Sequence, residues 1–240
     1  MAMRNIHVLS GLICTGKSAY LKKLMRWHEF RNATTIGLDD VGIRYWGNRA
    51  MTTTEKVYRN QLAREEIQRR IIVDNAKTVL VEMVMLTMKN HQEPFMRMIA
   101  ETEHYLQRIE PERARMEQRP PLHDDGGINV NVVLFYCSLE RMRERIERRK
   151  SEGSNNSPVF SMDGALHAAI QFEMPEVYDP LLINTTDENV DAELERMREM
   201  KAFFLRGEKP SRVTCDARKE EAESYLCELC REAEKAGVTL

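Results

Sequence analysis

No stretch of this 240-residue chain approaches the roughly 18 uninterrupted apolar residues that a membrane-spanning helix requires, so no bilayer anchor of that kind is expected. Nor does one sign of charge prevail. Lys and Arg number 36 against 38 Asp and Glu, a formal net charge of -2, which removes any global field drawing the protein onto nucleic acid or an anionic membrane. Cysteines are few and show no pairing pattern. Cys14, Cys137, Cys215, Cys227 and Cys230 make an odd set, and residues Met1 to Cys14 carry no small-residue cleavage site, so free thiols in a reducing cytosol are expected. Cys227-Glu228-Leu229-Cys230 has neither a second pair nor a histidine at metal spacing, which favours packing thiols over zinc or redox chemistry. The six histidines show no ligand cluster, the 15 methionines read as core filler, and there is no internal repeat.

What the chain does have is alternation. Strand-like runs at Asn5 to Ser10, Thr34 to Leu38, Thr78 to Met83, Asn129 to Ser138 and Leu181 to Asn184 are separated by stretches of helical period, as in an α/β protein with a five-stranded parallel sheet. Val79 to Val81 and Val130 to Tyr136 are nearly continuous apolar runs, as strands covered on both faces require. Helices are expected over Lys17 to His28, Thr53 to Asn75, Glu93 to Arg108, Asp187 to Arg206 and Ala217 to Ala236. Pro111 to Gly127, with Pro120-Pro121 and Asp125-Gly126-Gly127, reads as a surface insertion, and Ser151 to Pro158 as a second flexible stretch. These signals divide the chain into one α/β domain over 1–206, with an insertion near 109–128, and a helical extension over 207–240.

Gly11-Leu12-Ile13-Cys14-Thr15-Gly16-Lys17-Ser18 follows the first strand and opens the first helix, the pattern G-x-x-x-x-G-K-[ST] in its required context. In such a loop successive backbone N–H groups converge on phosphate oxygens, Lys17 reaches the β/γ-phosphates, and the Ser18 hydroxyl ligates Mg²⁺. The helix start, through Ala19, adds its positive dipole end. The motif therefore points to ATP with Mg²⁺ as the bound species. Cys14, inside this loop beside a helix N-terminus and Lys17, is expected to have a lowered thiol pKa.

Phosphoryl transfer needs more than a phosphate cradle. At the end of the second strand, Asp39 and Asp40 stand where an acceptor hydroxyl would sit, and one of them could take its proton; Asp39, emerging first, is favoured, while Asp40 could instead cap the next helix. Arg44 could hold a substrate anion or pair with Asp40. Glu82 ends a buried strand, where a carboxylate needs a compensating cation: Mg²⁺ directly or through water, or a core arginine. Ser138 to Lys150 is the most basic run. It reads either as a solvated helix face, with Glu144–Arg148 and Arg143–Glu147 pairs, or as a lid over 139–160 whose Arg145, Arg148 and Arg149 meet transition-state charge.

Taken together, Gly11 to Ser18, Leu38-Asp39-Asp40 with Arg44, Val79 to Glu82 followed by Leu86-Thr87, the Ser138 to Lys150 run and Leu182 to Thr186 resemble the small P-loop kinases grouped around gluconate kinase, shikimate kinase, chloramphenicol phosphotransferase, polynucleotide kinase and zeta-type toxins. The resemblance spans residues 5 to about 200. It implies a three-layer P-loop fold, Asp39 or Asp40 at the acceptor hydroxyl, a lid through Arg145 to Arg149, and Asn184, Thr185 and Thr186 at adenine. It also implies an ATP-dependent kinase acting on a hydroxylated small molecule. A toxin-like or polynucleotide-end kinase and a nucleotide-gated interaction protein are the alternatives, and near-neutral charge disfavours nucleic acid as a partner. Glu at position 82, the doubled aspartate and the 111–127 insertion depart from the pattern and leave the acceptor open.

Overall fold

A computed structural model describes residues 4–47, 49, 51–88, 90–121, 127–152 and 161–238. Each of the five apolar runs forms a strand: β1 (Arg4–Gly11), β2 (Thr34–Gly37), β3 (Thr78–Glu82), β4 (Ile128–Tyr136) and β5 (Leu181–Asn184). All pair in parallel, in the order β2-β3-β1-β4-β5. The two-residue period of a strand then decides which side chain goes to which layer. Ile6, Val8, Val79 and Val81 pack on one face with Ile67 and Ile71, and Leu9, Leu80 and Phe135 pack on the other with Leu24 and Phe204. The near-continuous apolar runs follow from having both faces covered.

The helices are α1 (Lys17–Leu24), α2 (Leu38–Trp46), α3 (Thr53–Ile72), α4 (Gln92–His104), α5 (Glu110–Met116), α6 (Leu139–Ser151), α7 (Met162–Ile170), α8 (Val190–Arg206) and α9 (Arg212–Lys235). Local chemistry starts several of them. Thr52 and Glu55 form a reciprocal capping box at α3, and Ser138, Ser161, Asn189 and Ser211 cap α6, α7, α8 and α9. Helix α1 ends four residues earlier than its pattern suggests. Arg26 and Trp27 turn with bonds to Lys23 and Leu24, which carries Phe30 into the core against Phe204.

The segment after Arg108 is more structured than a surface insertion. Helix α4 continues through a π-helical turn, Tyr105–Ile109, into α5, whose first turn contains Pro111. A widened turn before a proline accommodates the ring and the missing N–H. Glu110 is fully buried and accepts a 2.6 Å bond from Arg119 Nη1, so residues through Arg119 are tied to the body. Residues 122–126 of the expected insertion lie outside the described residues, as do residues 153–160 of the expected flexible stretch and lid.

The C-terminal helix packs on the body of the sheet. Gly207, at φ 70°, closes α8 in the left-handed conformation and marks a turn in the chain. Beyond it, α9 lays Leu229 and Ala233 against Leu12, Cys137 and Met142, and Ala222 against Leu134 and Tyr136. Of the C-x-x-C pair Cys227 is exposed, and only Cys230 turns toward α7. Among the described residues no helix is long and apolar enough to cross a membrane. Because Leu229 is 2% exposed, Leu229→Ala is expected to cost about 3 kcal/mol in urea unfolding, in one transition. A loss below about 1 kcal/mol would show that α9 folds apart from the sheet.

Candidate active site

The parallel register assembles the site. Gly37 of β2 stands beside Glu82 of β3, Glu82 beside Leu9 of β1, and Gly11 beside Phe135 of β4, so the carboxyl ends of four strands meet around the loop that leaves β1. Ligands in open α/β sheets bind at such a point, where neighbouring connections diverge. Gly11 has φ 130°, and a Cβ there would stand 2.2 Å from the Phe135 carbonyl oxygen, so no other residue fits without moving the sheet. Gly16, at φ 97°, supplies a further positive-φ turn immediately before α1.

Within the loop, Lys17 is buried and its Nζ donates to the carbonyls of Gly11 at 3.0 Å and Leu12 at 2.6 Å. Burial pushes its pKa down, opposed by Glu82 and then by Asp39. Ser18 Oγ donates to Glu82 Oε1 at 2.5 Å, so the two expected metal oxygens are adjacent. Burial raises the Glu82 pKa, against the Ser18 bond and the Lys17 charge. Among the described residues no three His, Cys, Asp or Glu side chains converge as a metal site. Two protein oxygens nevertheless suit Mg²⁺, which takes its remaining positions from phosphates and water.

Two cavities flank the loop. One, about 370 Å³, is lined by Lys17, Glu82, Asp39, Asp40 and Arg149, with an apolar wall from Leu38, Met51, Met83 and Met88. Helix α3 and the start of α4 contribute Lys56, Arg59, Asn60 and His91 to it, none of which stood out in the sequence. Arg59 lies 3.6 Å from Asp39 and donates to Asn60 Oδ1, and Asn60 Nδ2 is 3.3 Å from His91 Nε2. Burial, with the charges of Arg64 and Arg59, lowers the His91 pKa, so the ring is neutral near pH 7. No carboxylate among the described residues pairs with Lys56. One signal was available: Asn60 shares a helical face with Ala63, Ile67 and Ile71, and a buried Asn on an apolar stripe needs a polar partner.

The paired aspartates both line the cleft but differ in their neighbours. The Asp40 carboxylate is folded over Gly37, where Oδ2 would be 2.5 Å from a Cβ, at the first turn of α2. Asp39 faces the cleft beside Arg59. Arg44 has Glu66, not Asp40, as its carboxylate neighbour. It lies 3.8 Å from Glu66 of α3 and does not line the cleft, because the helix that begins at Leu38 carries it to the outer side of α2.

The second cavity, about 300 Å³, lies on the α6 and α8 side and is lined by Gly16, Tyr20, Arg145, Arg148, Arg149, Thr185 and Glu188 among others. Thr185 is buried, and its Oγ1 donates to the Thr15 carbonyl at 2.9 Å. Asn184 and Thr186, by contrast, direct their side chains to Glu221 and to the Ser138 amide. Only Thr185 of the three lines this cavity.

Arg145 corrects the expectation of a swinging cation. Its guanidinium is held by the Cys14 carbonyl at 3.0 Å, the Thr185 hydroxyl at 3.0 Å, the Thr185 carbonyl at 2.6 Å and Glu188 at 2.9 Å. Leu139, Met142 and Ile146 bury the adjoining face of α6 in the core, so this half of the expected lid is anchored. The helix pairs differ as well. Arg143 reaches Glu232 of α9, Arg148 faces Glu188 at 3.7 Å, and Arg141 takes Glu144. Arg149 is the member of the run that lines both cavities.

Cys14 is a second correction. It sits at φ 58° with its side chain 5% exposed, and burial raises its thiol pKa despite Arg149, Lys17, Arg145 and Arg148 nearby. A raised pKa lowers the thiolate fraction at neutral pH. Iodoacetamide at pH 7 is therefore expected to modify Cys14 more slowly than exposed Cys227, as peptide mapping would measure. Faster labelling of Cys14 would show that the loop opens in solution.

No family model matches this chain, and no curated protein matches its sequence. Solved structures do match. A proposed kinase from Chloroflexus aurantiacus superposes with a TM-score of 0.53 at 13% identity, covering 85% of this chain and 97% of that one. A sugar kinase from Janibacter sp. HTCC2649 gives 0.46 at 11% identity over 85% and 94%, and a chain of the PezAT toxin–antitoxin system of Streptococcus pneumoniae gives 0.45 at 12% over 95% and 88%. The chain shares the α/β fold of that Chloroflexus protein, a five-stranded parallel sheet covered by helices on both faces.

Proposed function

We propose that this protein is an ATP-dependent phosphotransferase that moves the γ-phosphate of Mg-ATP to a hydroxyl of a small molecule, in a cytosolic setting. One observation carries the reading. The Lys17, Ser18 and Glu82 constellation and the Asp39 carboxylate face each other across a single cleft with about 370 Å³ of room, so donor and acceptor halves share one space. A nucleotide-gated switch would need the first half without the second.

In this reading the triphosphate lies along the loop amides and Lys17, with Ser18 and Glu82 as the protein oxygens of Mg²⁺, which supplies charge neutralisation at the phosphates. Asp39 accepts the hydrogen bond of the attacking hydroxyl and orients it, and Arg59 keeps that carboxylate in place. Arg149, at the junction of the two cavities, meets the charge on the transferred group. Arg145 is a strut that holds the loop, and Arg148 with Thr185 borders the nucleoside. Asn184 and Thr186 shape that border through the backbone. The acceptor meets Met51, Met83 and Met88 on one side and Lys56, Asn60 and neutral His91 on the other, which suits a hydroxylated molecule with an apolar face.

Near-neutral net charge weighs against a polynucleotide acceptor, since phosphate tracking needs a basic surface. Lys17→Ala is expected to lower kcat/KM about a hundredfold, close to 3 kcal/mol of transition-state stabilisation. Steady-state phosphate transfer from labelled ATP to a panel of hydroxylated metabolites checks it, and wild-type turnover in this variant removes Lys17 from the chemistry.

Asp39→Asn separates kinase from switch. Transfer should fall by on the order of a hundredfold or more. Mg-ATP at a hundredfold over its Kd should still stabilise the variant by about 2.7 kcal/mol. Unchanged ATP turnover in the variant would favour the switch.

A further inference from the structure

Behind the phosphate loop, on the side away from both cavities just described, the structure holds a third cavity of about 200 Å³ that no step of phosphoryl transfer uses. Its floor is Leu134 and Tyr136 of β4, its roof is Ala222 and Leu229 of α9, and Leu12 and Thr15 of the phosphate loop close one end. It is a half-open cleft, with half-buried Phe172, Met174, Tyr225 and Leu226 along its rim. Water is a poor filler here. The Tyr136 and Tyr225 hydroxyls both donate to Glu221, and Thr15 Oγ1 donates to the Leu12 carbonyl, so the polar atoms at the walls are already engaged.

The lining selects the ligand class. Phe172, Tyr136 and Tyr225 offer aromatic surfaces, and Met142 and Met174 offer thioethers, which favour aromatic partners. Burial holds the Cys137 thiol neutral, with its pKa pushed up to about 11, and the one ionised group of the lining, Glu223, is exposed at the rim, where it repels anions. A cavity of roughly 150 Å³ with apolar walls admits benzene. We propose that this third cavity binds a small uncharged aromatic molecule, one ring with short substituents, and that its occupancy is linked to the phosphate loop.

The linkage is physical contact at two places. The ligand would touch Leu12, whose carbonyl accepts from Lys17, and Thr15, whose carbonyl accepts from Thr185. It would also touch Tyr136 and Tyr225, which share Glu221 with Asn184 at the end of β5. Coupling of this kind is reciprocal: whatever factor the aromatic ligand imposes on Mg-ATP affinity, Mg-ATP imposes on the ligand.

Toluene and indole serve as probes, with benzoate as the anionic control, on the full chain. Calorimetric titration should give saturable binding of toluene and indole at one site and none of benzoate. Ala222→Phe and Leu226→Trp, which fill the space, should weaken toluene binding at least tenfold. In the wild-type chain, nuclear Overhauser contacts should run from toluene to the Met142 and Met174 methyls, and the amide resonances of Leu12 to Thr15 should shift on binding. These measurements read the site directly and stand whether or not the chain transfers phosphate. No saturable binding by folded wild-type protein, contacts to other methionines, or loop amides that stay put at saturation would each overturn the proposal.

Discussion

One guanidinium holds the site together. Arg145 is 9% exposed, and a buried cation of that kind persists only where every donor finds an oxygen. Its oxygens come from the loop after β1 through Cys14, from the end of β5 through Thr185, and from the following turn through Glu188. Two segments far apart in sequence are thereby fixed to α6, which is itself anchored by Leu139, Met142 and Ile146. On the proposed reading the loop is held in place before an anion arrives, and a preorganised cradle loses little free energy to ordering when it binds.

The same dependence explains which parts of the site could be read from the chain. Lys17 and Ser18 stood out because the glycine-bounded loop after one strand is continuous in sequence, and Glu82, 64 residues from Ser18, because a carboxylate ending an apolar strand is conspicuous. Arg145 was not. Its partners lie 131, 43 and 40 residues away, and two of the accepting atoms are backbone carbonyls, which leave no mark in composition. In a run of alternating Arg and Glu, a strut and a solvated face look alike, and only burial separates them. Cys14 failed for a related reason, since its cationic neighbours are visible in sequence and its desolvation is not.

The fold was more legible than the acceptor cleft. The five apolar runs stand out because strands covered on both faces admit few polar residues. Boundaries followed tertiary demands instead: Phe30 had to reach the core, so α1 ended at Leu24, and Glu110 had to meet Arg119, so a helix replaced an insertion. Lys56, Arg59 and His91 belong to helices whose exposed faces are equally charged, so charge alone could not single them out. Asn60 could have done so, since its place among Ala63, Ile67 and Ile71 required a polar neighbour across the cleft.

The resting site is a closed polar circuit, and that has a consequence for what opens it. Lys17 is satisfied by the loop's own carbonyls, and Glu82 by the Ser18 hydroxyl, so neither charge is left bare in a low-dielectric setting. On the proposed reading, an anion alone would draw Lys17 away from those carbonyls but would face Glu82, Asp39 and Asp40 across the cleft. A divalent cation alone would take Ser18 and Glu82 but would meet the ammonium of Lys17. Only a ligand that brings both charges at once replaces every bond it breaks. Selectivity for a metal-bound polyphosphate over free phosphate thus follows from the way the site neutralises itself.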